Sequence, residues 1–463
     1  MNLSSIRKKV GNFIAGEESG SSADQQQGAY SDKNHTPLPT DSYPYPGLKY
    51  DYHFTKIDVL TVGKATLGLT TGQTLVSSDI TSKYGELSTP YGQGFVLADF
   101  NQVPGIGKIG WNANENPYQA VFSRPQGPPV HHSWQLLVVK SDVHTTERAG
   151  LLDQLSGRNQ EVANTSSIVS AIAQQTAKGG RLICIESTGQ VKTSGLTKSL
   201  FGGSDVYGCD VFFNVPSHPN PTRYTYQLIN VPVQIMMFGP GKLVKVTCDW
   251  MKHFVGPLQQ GWRLAEIFWD QGRKSHGDFT FGGDHNSIWF FEKEALRLND
   301  PTPVYEGTII EYKHTVKIGF FQTKAKGDWA PMITEMGKRG WELACMLETP
   351  EVTNVGLGNI TYKLLFFFQR RIIRVQAPSH YSQPQGAYQA GYPQNYGQGA
   401  YGQGAHTQGA HTQGVHAQGV YAQPPTSGFS YAGAPQGYGP PPPYNADDTS
   451  RLEPSAPPLP DKR

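Results

Sequence analysis

Charge is scarce in this sequence: Asp, Glu, Lys and Arg make up 16% of 463 residues, and hydrophobic residues reach only 37%. Both fractions lie below those of an ordinary globular domain, so a folded part must be diluted by long unfolded ones. An excess of one sign is also missing, with 39 Lys+Arg against 37 Asp+Glu. That excludes binding to nucleic acid by charge alone, and no specific nucleic-acid partner is expected. No run approaches the roughly 18 apolar residues of a membrane span. The densest run, Lys363 to Phe368, is the size of a strand, which excludes a single-span membrane protein.

Cysteine is nearly absent. Cys184, Cys209, Cys248 and Cys345 are scattered, with no CxxC pair and no His at ligand spacing beside them. The expectation is buried, reduced thiols in a cytosolic protein, with neither disulfide nor metal site. The N-terminus MNLSSIRKKVGNFIAG lacks the apolar core of a secretory signal, so the glycosylation triplets at Asn164 and Asn359 read as chance matches.

What is present divides the chain. Residues 1–16 form a basic amphipathic segment, and 17–46, rich in Ser, Gln, Gly, Asp and Pro, read as a disordered linker. Residues 47–376 carry β-branched and aromatic strand signals. Residues 377–463 form a tail rich in Gln, Gly, Tyr and Pro, with no Asp, Glu, Lys or Arg from 377 to 446 and a five-residue beat from Gln398 to Ala422. A pentad fits neither the helical nor the strand period, which predicts flexible low complexity.

Within the central region one pattern recurs four times: Gly-x-x-Leu followed by apolar alternation, at Gly94, Gly179, Gly261 and Gly340, spaced 85, 82 and 79 residues apart. A near-constant period points to four copies of one supersecondary unit. In the third copy YTYQLINVPVQI reads as a strand. Asp249 then caps a helix with Trp250, Met251, Phe254, Val255 and Leu258 on one face. The strands GWRLAEIFW and SIWFFEKE follow. The fourth copy repeats this order, and in both a Trp stands 11 residues before the glycine. Gly261 and Gly340 suit the left-handed position after a helix. The predicted fold class is therefore α+β: four β-α-β-β units, about 47–128, 129–216, 217–300 and 301–376, forming antiparallel sheets with helices on one face. Trp250, Trp262, Trp329 and Trp341 are expected to pack in the core.

Catalytic signals are weak. Gly105-Ile-Gly107-Lys-Ile-Gly110 matches a dinucleotide fingerprint, but WNANENP follows where a helix is required, so a strand-connecting loop is the reading. His131, His132, His218 and His314 have no partners at triad or metal spacing, and no nucleophile motif occurs. The expectation is a nonenzymatic protein without cofactor or metal.

The two ends carry more. Leu3, Ile6, Val10, Phe13 and Ile14 fall on one helical face, with Arg7, Lys8 and Lys9 beside it. This is the pattern of an interfacial helix drawn to anionic lipid; a helix packed on the domain, or a frayed tail, is the alternative. Near the other end, Pro441, Pro442, Pro443 and Tyr444 form a P-P-x-Y ligand suited to the aromatic groove of a WW domain. Pro454, Ser455, Ala456 and Pro457 match the P-S/T-A-P tetrapeptide read by the endosomal sorting machinery. The partners expected are anionic membrane lipid, a WW-domain ubiquitin ligase and an endosomal sorting complex.

Residues 50 to 372 resemble the raftlin family, through YDYHFTKIDVL, SAIAQQTAKGGRLICIE, DWMKHFVGPLQQGWRLAEIFW and DWAPMITEMGKRGWELACMLETPEV. The resemblance implies a nonenzymatic scaffold, cytoplasmic and peripheral on the plasma membrane and endosomes, linked to membrane rafts, receptor signalling and uptake. Such family members attach through an acylated N-terminal Gly-Cys pair. Asn2 and Leu3 stand here instead, which leaves the Met1 to Gly16 segment as the candidate replacement. Two other readings remain open: a soluble small-molecule or nucleotide-binding protein using loops around Gly105 and Gly282, and an RNA-granule component driven by the tail.

Overall fold

A computed structural model describes residues 34–373, apart from 67–72, 106–107, 110–112, 129–132, 149–159, 194–203, 219–221, 239–242, 276–281, 320–322 and 355–357, together with 430–431. Four successive segments have the same plan. The first holds β1 (Tyr50–Thr66), β2 (Gln73–Ser78), α1 (Ile80–Lys83) extended by the 3-10 turns Tyr84–Gln93, β3 (Val96–Gln102), the short β4 (Lys108–Ile109) and β5 (Ala113–Pro125). The second holds β6 (Trp134–Arg148), β7 (Gln160–Asn164), α2 (Ser166–Thr176), β8 (Arg181–Thr193) and β9 (Ser204–Pro216). The third holds β10 (Tyr224–Phe238), β11 (Leu243–Thr247), α3 (Trp250–Leu258), β12 (Arg263–Ser275) and β13 (Gly282–Glu294). In the fourth come β14 (Tyr305–Ile318), β15 (Thr323–Lys326), α4 (Ala330–Lys338), β16 (Glu342–Asn354) and β17 (Asn359–Arg371).

This order corrects the expected β-α-β-β unit. A short strand stands between the first strand and the helix, and it pairs antiparallel with the end of that first strand. Its other edge reaches the next segment: β2 pairs with β8, β7 with β12 and β11 with β16. The short strands thus stitch neighbouring sheets together. Inside each segment the last strand pairs on one side with the first and on the other with the strand after the helix.

The fourth segment returns to the first. Helix α4 packs on β1, and β16 lies against β3, as β3 lies against β8, β8 against β12 and β12 against β16. Four sheets therefore stand around a closed ring whose innermost strands are β3, β8, β12 and β16.

Ring closure explains a second departure from expectation, because the sheets carry helices on both faces rather than one. On β17, Leu364, Phe366 and Phe368 join a cluster with Met332, Ile333 and Met336 of α4, while the alternate residues Leu365 and Phe367 join Phe254 and Leu258 of α3. On β13, Ile288 and Phe290 meet Ile168 and Ile172 of α2, and Trp289 and Phe291 meet α3. Each helix is wedged between its own sheet and the next. A strand with period-two side chains is then apolar on both faces, which is why these strands read as continuous hydrophobic runs. Trp329 and Trp341 are buried, while Trp250 and Trp262 pack from the edge of a cluster.

The repeat glycines turn the chain from helix into inner strand. Gly94, Gly179, Gly261 and Gly340 have φ of 82°, 88°, 81° and 81°, a region that a Cβ disfavours. Asp249 caps α3 by accepting from the Lys252 N–H at 3.1 Å. A Cβ on Gly261 would also meet the Thr302 carbonyl oxygen at 2.7 Å, whereas one on Gly256, inside α3, would meet nothing within 4 Å. We expect opposite signs from the same substitution. Gly261→Ala should cost about 2 kcal/mol, and Gly256→Ala should stabilise by up to about 1 kcal/mol, both read from urea unfolding. Equal shifts would refute the conformational assignment.

Of the expected linker 17–46, residues 34–46 are among the described residues. Residues 34–46 are a strap on the fourth sheet. His35 bridges to Tyr312, the Thr36 N–H donates to the Glu311 carbonyl at 2.9 Å, and Leu38 packs against the α4 cluster. Polar anchors hold it, so its lack of aliphatic residues did not betray it.

Candidate functional site

The membrane-binding residues expected from sequence (Leu3, Ile6, Arg7, Lys8, Lys9, Val10, Phe13 and Ile14) lie outside the described residues. So do the partner-binding residues Pro441, Pro442, Tyr444, Pro454, Ser455, Ala456 and Pro457, and also His131 and His132. Gly105 sits in a turn with φ 62° and Gly282 opens β13 opposite Met236. A Cβ on Gly105 would meet the Tyr362 ring at 2.5 Å, so that turn is packed against the fourth sheet and not open to a ligand.

The described residues offer a different site, at the hub of the ring. Each inner strand carries a one-residue bulge at the same place, between Leu97 and Asp99, Leu182 and Cys184, Leu264 and Glu266, and Leu343 and Cys345. A bulge re-aims the side chain that follows it. The four side chains that follow, Asp99, Cys184, Glu266 and Cys345, are all buried. One carboxylate oxygen of Asp99, the sulfur of Cys184 and one carboxylate oxygen of Glu266 lie within 4.8 Å of one another. Cys345 holds the equivalent place on the fourth strand and senses the charge of both carboxylates.

The hub is held by a cyclic set of bonds. Asp99 accepts from its neighbour Phe100 N–H at 2.9 Å and from Met346 N–H of the fourth segment at 2.8 Å. Glu266 accepts from Ile267 N–H at 2.6 Å and from Ile185 N–H of the second segment at 3.2 Å. The Phe100 N–H also bonds the Cys184 sulfur, and the Ile267 N–H that of Cys345. Each hub side chain is thus bonded to the backbone of the segment before it. Burial raises both carboxyl groups above their ordinary range, and at Glu266 the charge of Asp99 adds to the rise. Burial raises the thiols of Cys184 and Cys345 likewise.

Nearer the rim, a buried ion network joins three segments. Glu292 is 3% exposed. It is paired with Arg181 of the second segment and with Arg263 at 3.4 Å, and it accepts from the Tyr226 hydroxyl at 2.9 Å. Arg263 also pairs with Glu342 of the fourth segment at 3.1 Å. The two arginines hold the Glu292 carboxyl below the ordinary range despite its burial.

At the outer side of the fourth sheet the strap and the end of the body meet. The Arg370 side chain is 9% exposed and is sandwiched between Tyr45 and Trp341, at 4.7 and 4.2 Å. It pairs with Asp41 at 2.7 Å and with Glu306 at 2.6 Å. The Tyr45 hydroxyl donates to the Arg371 carbonyl at 2.7 Å. Chain entering the body and chain leaving it therefore lie side by side.

A family model described as Raftlin matches residues 138–394, which run from β6 past the end of β17 and cover the second, third and fourth segments. The chain belongs to the raftlin family. Raftlin of Mus musculus is 26% identical over 159 residues, covering 34% of this chain and 27% of that protein. Raftlin of Gallus gallus is 25% identical over 158 residues, covering 34% and 25%, and Raftlin of Homo sapiens is 22% identical over 158 residues, covering 34% and 26%. The chain thus spans about a quarter of the length of the curated relatives it matches. No solved structure matches. The first segment of this raftlin-family chain lies outside the family match, yet it supplies Asp99 and closes the ring. Among the described residues no helix is long and apolar enough to cross a membrane.

The hub was missed by reading spacing along the chain. Its four residues stand five positions after each repeat glycine, so stacking the four copies would have placed Asp, Cys, Glu and Cys in one column.

Proposed function

We propose that this raftlin-family chain is a nonenzymatic peripheral scaffold of raft-type membranes. Its ring body carries two recruiting ends. The amphipathic segment around Leu3, Ile6, Val10, Phe13 and Ile14, with Arg7, Lys8 and Lys9, contacts anionic lipid. The tail engages a WW-domain ubiquitin ligase through Pro441, Pro442 and Tyr444, and an endosomal sorting component through Pro454 to Pro457, which places the protein on the cytoplasmic face of plasma membrane and endosomes. Family membership supports the membrane reading. The observation that carries the scaffold reading is the junction of Asp41, Tyr45, Arg370 and Arg371, where the chain entering the body and the chain leaving it meet at one corner. Two weak ligands tethered at one point raise each other's effective concentration, and avidity then supplies what one short helix or one Pro-rich peptide lacks.

Co-sedimentation of the full chain with vesicles tests this. Binding is expected on anionic and not on neutral vesicles, with a fall at high salt, and deletion of residues 1–16 should abolish it. Binding that survives the deletion would remove the N-terminal segment from the proposal. Tyr444→Ala should abolish capture of a WW-domain partner while leaving vesicle binding and the unfolding curve unchanged; undiminished capture would refute the P-P-x-Y assignment.

A further inference from the structure

We propose that the hub is a structural metal site in which Asp99, Glu266, Cys184 and Cys345 hold one divalent cation of the zinc class on the axis of the ring. The family reading plays no part in this inference. The first ground is convergence. Donor atoms of Asp99, Cys184 and Glu266 lie within 4.8 Å of one another, and a tetrahedral zinc with ordinary Zn–O and Zn–S bonds holds its donors roughly 3.3–3.8 Å apart. The Cys345 sulfur lies farther out than these three donors, at the equivalent place after the bulge of the fourth inner strand, and completes a tetrahedral set only by moving towards the axis.

The second ground is uncompensated charge. Two carboxyl groups are buried side by side, and the groups that bond them are backbone N–H groups, joined at Asp99 by the Asn101 side chain. Among the described residues no Lys or Arg offsets either one, and at Glu266 the Glu186 carboxylate adds further negative charge. Buried carboxylates without a cationic side chain are held by a metal or stay protonated. Each of these N–H bonds also leaves the carboxylate oxygen a second lone pair, directed elsewhere.

The third ground is the chemistry of the column itself. Two positions earlier in each copy stands a leucine, Leu97, Leu182, Leu264 and Leu343, the residue that simple packing selects. The axial column instead holds Asp, Cys, Glu and Cys, all ligand-forming types. Two sulfurs among the four donors disfavour magnesium and calcium, which take oxygen, and suit a borderline-soft ion such as zinc. The N–H groups of Phe100, Ile185, Ile267 and Met346 are the outer bonds that orient ligands in metal sites. Each ligand comes from a different segment, so one ion fastens all four around the axis.

The test uses the full chain, purified without chelator and dialysed against EDTA. Elemental analysis should give about one zinc ion per chain, retained until the protein is unfolded. Refolding with Co²⁺ as the sole metal should produce a thiolate-to-cobalt absorption band in the near ultraviolet. Cys184→Ser with Cys345→Ser, and separately Glu266→Gln, should reduce bound metal at least tenfold, with circular dichroism reporting whether each variant folds. A folded wild-type chain that holds no stoichiometric metal and shows no cobalt–thiolate band overturns the proposal, leaving Asp99 and Glu266 as a proton-sharing acid pair. Metal retained in full by the folded double-serine chain overturns it as well. If that variant does not fold, the cobalt band of the wild-type chain decides.

Discussion

Glu292→Ala is expected to destabilise the body by about 3 kcal/mol, because it leaves Arg181 and Arg263, both half-buried, with no shared counter-charge. The carboxylate does three things at once. It neutralises two guanidinium groups from different segments, accepts from the Tyr226 hydroxyl, and through that hydroxyl holds the Leu182 N–H, which donates to the Tyr226 oxygen at 2.9 Å. Removing it uncouples the second sheet from the third next to the hub. Glu292→Gln keeps the shape and one acceptor, so it should fall between wild type and alanine. The contrast that isolates burial is Glu335→Ala on α4, whose pair with Arg339 at 2.9 Å is more open to solvent than Glu292 and one helical turn apart. That change should cost about 0.5 kcal/mol or less and fade with salt. Urea unfolding of the three variants at two salt concentrations measures all of this. A Glu292→Ala loss no larger than that of Glu335→Ala would show that the ring is held by its apolar clusters and not by this network.

Those clusters explain which parts of the architecture could be read from sequence. The run Leu364, Leu365, Phe366, Phe367, Phe368 is fully buried, and an uninterrupted apolar run of strand length is the pattern of a strand covered on both faces. Its length marks a strand, whereas the cover on both faces is not evident from it, since antiparallel sheets commonly leave one face to water. The glycines at 94, 179, 261 and 340 were legible because a positive φ restricts residue type, so one position repeats through all four copies. The short strands Gln160–Asn164, Leu243–Thr247 and Thr323–Lys326 were not legible. Their pairing comes from backbone edges offered by neighbours, and four or five residues carry too little alternation to show it.

The hub was hidden for another physical reason. Local spacing rules for ligands detect sites built on one turn or one hairpin. Here the ligands are brought together by ring closure over about 250 residues of chain, each aimed by a bulge that depends on strand pairing. The strap over residues 34–46 was lost because composition measures burial of aliphatic groups. Asp41 and Tyr45 are instead held by one arginine side chain and one carbonyl far along the chain. The two ends, by contrast, carry their information locally, in an amphipathic period and in two Pro-rich tetrapeptides, and they were readable as motifs for that reason.

Acid should weaken the junction between the fourth sheet and the first by about 3 kcal/mol through His314 alone. This side chain is 1% exposed and sits edge-on to Trp329 with ring centroids 5.0 Å apart. Burial pushes its pKa down to about 4, against the weaker pull of the Pro104 carbonyl and the Asp328 carboxylate, which favour the imidazolium. The folded state therefore binds fewer protons than the unfolded one between pH 4 and 6.5. Stability from this group is complete above about 6.5 and is lost progressively as pH falls towards 4. A displacement of about 2.5 units corresponds to roughly 3 kcal/mol. The hub works in the opposite sense while it holds no cation, because carboxyl groups raised by burial take up protons on folding and gain stability as pH falls. A simple pH profile of the wild-type chain would mix the two, so the measurement is a difference. His314→Phe keeps an aromatic ring in the same apolar contact and removes the titration. Unfolding of both chains at pH 7.5 and pH 4.5 should show the wild type losing about 2 to 3 kcal/mol more than the variant. Parallel losses would mean that His314 gains a proton without leaving its site, and that water or a shift of the first sheet reaches the imidazolium at this closure of the ring.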